Sequence, residues 1–173
     1  MNDNSPYNVL FLCTGNSARS ILAEVLINSM AGERFRGFSA GSHPTGYVHP
    51  MALAYLEKLG YETAGLKSKG WDLFSAPDAP ELDFVFTVCD RAAAEPCPVW
   101  PGQPVSAHWG IEDPAALDPG ESASEQARIK PFKAAFTALQ RRIQLFMNLP
   151  IASLDRMKLK QDLDQIGRDA DRE

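Results

Sequence analysis

The sequence has 173 residues, 45% of them hydrophobic, so it can bury one core but has no room for two large ones. Its formal net charge of -5 argues against nucleic acid as a partner, and an anionic substrate must therefore be captured by local groups. Three cysteines do not suggest a secreted disulfide framework. With a polar beginning and no apolar run of membrane-spanning length, the sequence predicts a cytoplasmic protein that binds no membrane.

The first predicted elements are a strand, a loop and a helix within residues 7–26. An apolar run over 9–12 predicts a buried strand, and helical spacing of apolar residues begins at Ser17. The loop opens at Cys13 and closes at Arg19, so backbone N–H groups at a helix N-terminus and one guanidinium can surround a tetrahedral oxyanion. The predicted oxyanion-binding residues are Thr14, Gly15, Asn16, Ser17, Ala18 and Arg19.

The position of Cys13 in this loop predicts a nucleophile. The field that binds an anion also stabilises a thiolate, and Ser20 can donate a hydrogen bond to the sulfur. Gly15 and Asn16 are residue types that tolerate positive φ in a tight loop. A free cysteine at the end of a core strand can also be simply a small hydrophobic residue, but the strand-loop-helix context favours the chemical role.

Three more strands are predicted in the middle of the chain, over 38–41, 82–88 and 105–109. Gly32 and Gly37 are predicted to form the turn before the first of these, and a helix is predicted from Pro50 to about Gly60. Residues 68–80 are predicted to form a loop with at most one short helix. Because strands alternate with helices, we expect right-handed crossovers and an α/β fold whose parallel sheet is covered on both faces.

The string CTGNSARS, from Cys13 to Ser20, resembles the phosphate-binding loop shared by low-molecular-weight protein tyrosine phosphatases and arsenate reductases of the same fold. The resemblance implies a three-layer α/β/α structure with a central four-stranded parallel sheet. It also implies a potassium ion near the loop, held by groups matching Asn16, Glu24 and Ser39. It implies no transition metal and no tightly bound cofactor.

The phrase HWGIEDPA contains the second candidate site residue, Asp113. An Asp before Pro is usually a turn former, but this phrase looks like the segment that carries the general acid in thioredoxin-coupled arsenate reductases. Asp113 would then deliver the proton that a departing oxygen needs. Two features differ from the phosphatase pattern. The segment 43–44 stands where an aromatic residue usually walls the site, although Tyr47 is near, and Ala115 stands where a tyrosine typically follows Asp-Pro.

Cys89 follows a predicted strand, and Cys97 lies in the proline-rich segment after it. Reduction of arsenate takes two electrons, so after Cys13 attacks arsenic a second thiolate must displace arsenite and leave a disulfide. Cys89 is the candidate, and the reductases that the chain resembles have counterparts of both cysteines, with Cys97 resolving the Cys13–Cys89 bond. A straight helix would separate the Cα atoms of Cys89 and Cys97 by roughly 12 Å. A disulfide needs about 7 Å or less, so the segment must bend as it oxidises.

The last third of the chain is predicted to be helical. Apolar residues recur at helical spacing over 132–146, and Pro131 either lies in the first turn of that helix or kinks a helix that begins near Ser124. A weaker amphipathic helix follows, with Gly167 as its stop. We expect residues 1–148 to form the catalytic domain and residues 149–173 a C-terminal helical extension, which packs on the domain or mediates self-association. The oligomeric state stays open.

The predicted function is reduction of arsenate to arsenite through Cys13 and a thiol-disulfide relay. The alternative is a phosphatase that uses Cys13, Arg19, Asp113 and water to hydrolyse phosphomonoesters. A third alternative is a regulatory thiol switch that only binds oxyanions, which leaves Asp113 without a task. The predicted partners are an arsenate or phosphate oxyanion and a reducing thiol. The sequence does not decide between thioredoxin, glutaredoxin with glutathione, and another small thiol.

Overall fold

The computed structural model describes residues 5–94 and 100–169. The strands are β1 Tyr7–Cys13, β2 Phe35–Gly41, β3 Phe84–Thr87 and β4 Val105–His108. The helices are α1 Arg19–Met30, α2 Pro50–Lys58, α3 Asp90–Ala94, α4 Pro114–Leu117, α5 Glu125–Met147 and α6 Arg156–Asp169, with short 3-10 helices at Trp71–Phe74 and Ile151–Ser153. No helix among the described residues combines the length and apolarity needed to cross a bilayer.

The four strands form one parallel sheet in the order β2-β1-β3-β4, flanked by helices, which confirms the predicted fold class. Because successive side chains of a strand face opposite sides, Val9 and Phe11 of β1 enter the larger core under α1 and α5. Leu10 and Leu12 enter a smaller core on the other face. The neighbouring strands β1 and β3 end side by side, which brings the residues that follow them to one edge of the sheet.

The structure corrects two predictions about glycines. Gly37 does not form a turn but lies inside β2, where a Cβ atom would be 2.2 Å from Ile27 Cγ2, so a glycine lets α1 pack closely on the strand. Gly167 does not stop the last helix, since α6 continues to Asp169. A Cβ atom at Gly167 would be 2.5 Å from the carbonyl oxygen of His108, so this glycine serves a close contact between α6 and β4.

Pro131 lies inside a helix that begins near Ser124, which is the second of the two alternatives predicted for it. The helix α5 begins at Glu125, after the N-cap residue Ser124, and Pro131 lies in its interior. Ser124 accepts a hydrogen bond from the backbone N–H of Ala127 through its side chain, as an N-cap residue does.

The helix α6 covers the edge strand β4. Arg156 donates a hydrogen bond to the carbonyl of Pro104 (3.1 Å), and Lys160 Nζ donates one to the carbonyl of Ser106 (2.6 Å). In the other direction, the buried Trp109 Nε1 donates to the carbonyl of Leu163 (3.0 Å). An uncovered edge strand would present these carbonyl groups to other chains. The described part of the C-terminal extension therefore packs on the domain.

A partly buried ion pair joins the end of α4 to α5. Arg128 grips the carboxylate of Asp118 with two hydrogen bonds of 2.9 and 2.8 Å. This contact, helped by the backbone N–H of Gly120, lowers the pKa of Asp118 to about 2, from an ordinary value of 3.8. Because the folded state favours the carboxylate, the pair stabilises the fold fully above the ordinary pKa, and the contribution disappears as pH falls towards about 2.

We expect Asp118→Asn to lower the melting temperature, because it replaces one partner of a charge-assisted bidentate pair. The difference from the wild type should be largest above pH 3.8 and should shrink between that pH and about 2. Thermal unfolding followed by circular dichroism over this interval measures it. Asp162→Asn removes a carboxylate from the surface pair with Lys158 and serves as the control, with a small effect expected. A difference that does not change with pH would contradict the assignment.

Candidate active site

The N-terminus of α1 differs from those of α2, α4 and α5. Its N-cap residue, Ala18, makes no side-chain capping hydrogen bond. Its first turn also has no acidic residue, as in α2 and α4. The other three helices are capped by the side chains of His49, Asp113 and Ser124. Burial lowers the pKa of His49, which favours the neutral ring that accepts this hydrogen bond. The N-terminus of α1 thus keeps its positive partial charge for a bound anion.

The carbonyl groups of the loop between β1 and α1 accept hydrogen bonds from a neighbouring segment of the chain. Four of them accept backbone N–H groups from the segment 42–49, at 2.8 to 3.3 Å. The acceptor and donor residues are Cys13 with Ser42, Thr14 with His43, Gly15 with Thr45, and Ser17 with His49. A loop whose carbonyls are engaged in this way can turn its N–H groups towards an oxyanion.

The sulfur of Cys13 is buried and surrounded by hydrogen-bonding groups. It lies 2.9 Å from Ser20 Oγ and accepts the backbone N–H of Asn16 at 3.2 Å. Asn16 adopts φ +46°, a conformation that its residue type tolerates, whereas Gly15 does not have a positive φ. A Cβ atom at Gly41 would be 2.5 Å from the carbonyl oxygen of Thr14, so the end of β2 must be a glycine for the loop to lie against it.

Arg19 and Asp113 lie together at the mouth of the loop. Arg19 donates a hydrogen bond to the carbonyl of Ile111 (3.0 Å), and its guanidinium is 3.7 Å from the carboxylate of Asp113. The carboxylate of Asp113 is 42% exposed and also accepts the backbone N–H of Ala115 (3.0 Å), which caps α4. Asp113 is therefore both a helix cap and a neighbour of Arg19, and its carboxylate is open to solvent and to the cleft.

These groups line an open cleft of about 480 Å³. Cys13, Arg19, Cys89 and Asp113 all lie on its wall, and none of the described residues that line it is aromatic. Tyr47, which the sequence left open as an aromatic wall, is 61% exposed and lies outside this lining. The cleft has room for a small oxyanion next to two thiols, and its described lining offers no aromatic surface on which a phenyl ring would stack.

Cys89 is buried and free, like Cys13. Its sulfur lies 3.5 Å from Thr14 Oγ1, so it is in contact with the loop that contains Cys13. It also accepts the backbone N–H of Ala92 at 3.4 Å, at the start of α3. Cys97 lies outside the described residues, and its part in the relay stays a prediction.

The three residues proposed to hold potassium are brought together, but around a lysine. Lys69 Nζ lies 3.2 Å from Ser39 Oγ and 3.5 Å from Glu24 Oε1. The backbone N–H of Lys69 donates a hydrogen bond to Asn16 Oδ1 (2.8 Å). These residues do not fit a potassium ion, because the ammonium already lies against the oxygens of Ser39 and Glu24 and the backbone N–H of Lys69 occupies Asn16 Oδ1. Sequence reasoning missed Lys69, which has no local pattern to mark it. Among the described residues, no group of three or more His, Cys, Asp or Glu side chains could hold a metal ion.

The strand-loop-helix site on a four-stranded parallel sheet defines a phosphatase-like class of protein. The sequence matches the family model "Low molecular weight phosphotyrosine protein phosphatase" over residues 8–161, and the chain belongs to this family.

Within this family, arsenate reductases are among the relatives most similar to the chain. Arsenate reductase 1 of Staphylococcus epidermidis is 34% identical over 136 residues, which cover 78% of this chain and 96% of the relative. The arsenate reductase of Archaeoglobus fulgidus has a similar structure, with a TM-score of 0.61 and 27% identity over 82% of this chain and 99% of that chain. The thioredoxin-dependent arsenate reductase of Corynebacterium glutamicum is 27% identical, with a TM-score of 0.52 over 82% of this chain and 63% of that chain.

Proposed function

We propose that this protein reduces arsenate to arsenite, with Cys13 as the nucleophile and Cys89 as the second thiol. The observation that carries the proposal is that both thiols line the cleft that contains the oxyanion loop. A phosphatase has no use for a second thiol there, whereas a reductase needs one to supply the second of the two electrons that arsenate takes up. The similarity to arsenate reductases supports the same choice.

In the first step, arsenate binds at the N-terminus of α1 and against the guanidinium of Arg19. The thiolate of Cys13, stabilised by Ser20 and the backbone N–H of Asn16, attacks arsenic. An S–As bond forms and an As–O bond breaks. The departing oxygen takes a proton from Asp113 and leaves as water, and arsenic is still As(V).

In the second step, the thiolate of Cys89 attacks the sulfur of Cys13. The electron pair of the S–As bond moves to arsenic, which leaves as arsenite, As(III), and the two sulfurs form a disulfide. Cys97 then attacks Cys89, which frees Cys13 and forms a Cys89–Cys97 disulfide. A dithiol protein of the thioredoxin type reduces this bond and becomes oxidised itself, and glutaredoxin with glutathione is the alternative donor. A reducing compartment such as the cytoplasm suits this cycle. The proposal includes no potassium ion.

A phosphatase activity is the second candidate, and family membership together with the Arg19–Asp113 pair favours it. Cys13, Arg19 and Asp113 are sufficient to form a thiophosphate and release it to water. The absence of an aromatic residue among the described residues that line the cleft argues that phosphotyrosine is not the preferred substrate. We therefore expect phosphatase turnover to be slow.

A turnover assay tests the proposal. The reduced protein is given arsenate with thioredoxin, thioredoxin reductase and NADPH, or with glutaredoxin, glutathione, glutathione reductase and NADPH, and separately phosphotyrosine or para-nitrophenyl phosphate. We expect arsenate-dependent oxidation of NADPH with the thioredoxin system and much slower release of phosphate from either phosphoester. Rapid hydrolysis of phosphotyrosine without arsenate-dependent oxidation of NADPH would show that the protein is a phosphatase.

A further inference from the structure

The ammonium of Lys69 is surrounded by oxygen atoms. It donates hydrogen bonds to Ser39 Oγ (3.2 Å) and to the carbonyl of Lys67 (3.0 Å), and lies 3.5 Å from Glu24 Oε1. Ser39 in turn donates a hydrogen bond to Glu24 at 2.9 Å. The carboxylate of Glu24 is only 16% exposed, and a carboxylate held away from water needs a positive partner. Three oxygens match the three N–H donors of a lysine head group.

The backbone of the same residue reaches the nucleophile through two side chains. The N–H of Lys69 donates to Asn16 Oδ1 (2.8 Å), and Asn16 Nδ2 donates to Ser20 Oγ (2.8 Å). Ser20 Oγ lies 2.9 Å from Cys13 Sγ. Asn16 is fully buried at φ +46°, a conformation that asparagine tolerates better than most residues, and its two side-chain hydrogen bonds fix its amide group in place.

Lys69 is itself fixed at the end of β2. Its carbonyl accepts the backbone N–H of Gly41 (2.9 Å), and the next residue, Gly70, pairs with Gly41 as an isolated parallel bridge. The ammonium is anchored on Ser39, two residues before Gly41 in the same strand. Head group and backbone thus hold one short segment against the strand, and this segment presents its N–H to Asn16.

We propose that Lys69 is a positioning residue whose ammonium takes the place of the monovalent cation that the family resemblance implies. It neutralises Glu24 and holds the segment that fixes Asn16, so the Cys13–Ser20 pair keeps its reactive geometry without an added cation. The inference rests on the proposed nucleophilic role of Cys13, but it does not depend on which oxyanion is the substrate.

The test replaces the built-in cation by one from solution. Lys69→Ala removes the ammonium and leaves space beside Glu24. With tetramethylammonium chloride as the only salt, we expect Cys13 to react roughly tenfold more slowly with iodoacetamide at neutral pH and phosphate to protect it less well, as for the loss of one charge-assisted hydrogen bond. Potassium or ammonium chloride at the same ionic strength should restore both. The wild type should be unchanged by the choice of salt, and peptide mapping assigns the label to Cys13.

Two further variants separate a cation effect from a structural one. Lys69→Met fills the space with an uncharged chain, so we expect the same loss without recovery in potassium. Lys58→Ala removes an ammonium from an exposed pair with Glu125, in which the N–O distance is 3.6 Å, close to the 3.5 Å between Lys69 and Glu24. This control should leave the labelling rate of Cys13 unchanged in either salt. If Lys69→Ala is too unstable in tetramethylammonium chloride to be labelled, thermal unfolding replaces labelling as the measurement. Potassium must then raise the melting temperature of Lys69→Ala and must not raise the melting temperature of Lys69→Met.

Three outcomes would overturn the inference. Without potassium, Cys13 of Lys69→Ala is labelled as fast as Cys13 of the wild type; or neither potassium nor ammonium restores the labelling rate of Lys69→Ala; or potassium speeds the labelling of the wild type by the same factor. These outcomes are separate from the fate of the proposed function. A wild type that labels rapidly at Cys13 but reduces no arsenate would overturn the reductase and leave the role of Lys69 standing.

Discussion

Asp113→Asn is expected to lower the rate of arsenate turnover by about two to four orders of magnitude while leaving oxyanion binding nearly intact. Asparagine is as good an N-cap residue as aspartate, so its side chain can still accept the N–H of Ala115 and α4 should begin where it does now. What the variant loses is the proton for the departing oxygen. The substitution therefore separates the chemical role of Asp113 from its structural role.

The measurement compares kcat for arsenate with the inhibition constant of phosphate, which reports binding in the same loop. Glu112→Gln is the matched control, because Glu112 precedes Asp113, lines the same cleft and carries the same charge. We expect it to change kcat little. An equal loss of rate and phosphate affinity in Asp113→Asn would identify a turn residue, and an equal loss of rate in Glu112→Gln would identify a general effect of negative charge in the cleft.

The first strand, loop and helix could be predicted because their signals are local. The apolar run of β1, the residues of the loop and the apolar spacing of α1 all lie within 20 consecutive positions, and the loop must join the two elements. The predicted helix began at Ser17, whereas α1 begins at Arg19. Residues up to Ala18 form the oxyanion loop, and they cannot adopt helical geometry at the same time, so the helix begins at Arg19.

The two glycine errors have one cause. A glycine in a turn and a glycine beneath a closely packed neighbour look identical in the sequence, since both are positions where a Cβ atom is excluded. At Gly37 the neighbour is Ile27 on α1, and at Gly167 it is the backbone of His108 on β4. Neither contact can be inferred before the layers of the fold are in place.

The site shows the same division between local and tertiary information. Cys13 and Arg19 are fixed by one loop, and Cys89 could be placed near them because parallel strands end at one edge of the sheet. Lys69 could not, because it lies 53 residues from Asn16 and its loop has the composition of an ordinary surface turn.

Arg142 was also missed, although its position three residues after Leu139 places it on the apolar stripe of α5. It is buried there and donates to the carbonyl of Gly110 (3.3 Å), in the segment that leads to Asp113.

The net charge of the chain makes these local arrangements necessary. At -5 the protein as a whole repels an oxyanion, so binding depends on the uncapped N-terminus of α1 and on Arg19. Lys69 neutralises Glu24 beside the loop, so this carboxylate does not oppose the field. We therefore expect the loop to act at short range, so that Cys13 meets an oxyanion only after the oxyanion has entered the cleft.

Cys89→Ser is expected to abolish arsenate reduction with a dithiol protein as donor, yet to keep the slow phosphatase activity, which needs only the loop and Asp113. Serine can accept the N–H of Ala92 as the sulfur does, so the start of α3 is preserved. Its hydroxyl cannot form a disulfide with Cys13, and the As(V) adduct therefore has no thiolate to release it as As(III). The effect is larger than that of Asp113→Asn, because a step is removed rather than slowed.

A single-turnover experiment with excess arsenate and no donor makes the prediction sharp, with Cys97→Ser as the matched comparison. Cys89→Ser should release no arsenite. Cys97→Ser should release about one arsenite per protein and then stop, with Cys13 and Cys89 joined in a disulfide that peptide mapping under non-reducing conditions detects. Iodoacetamide labelling of Cys13 before arsenate is added should be equal in both variants, which shows that the loop is intact. If Cys89→Ser reduces arsenate at the wild-type rate, Cys89 is not the second thiol, and the donor itself must attack the Cys13 adduct.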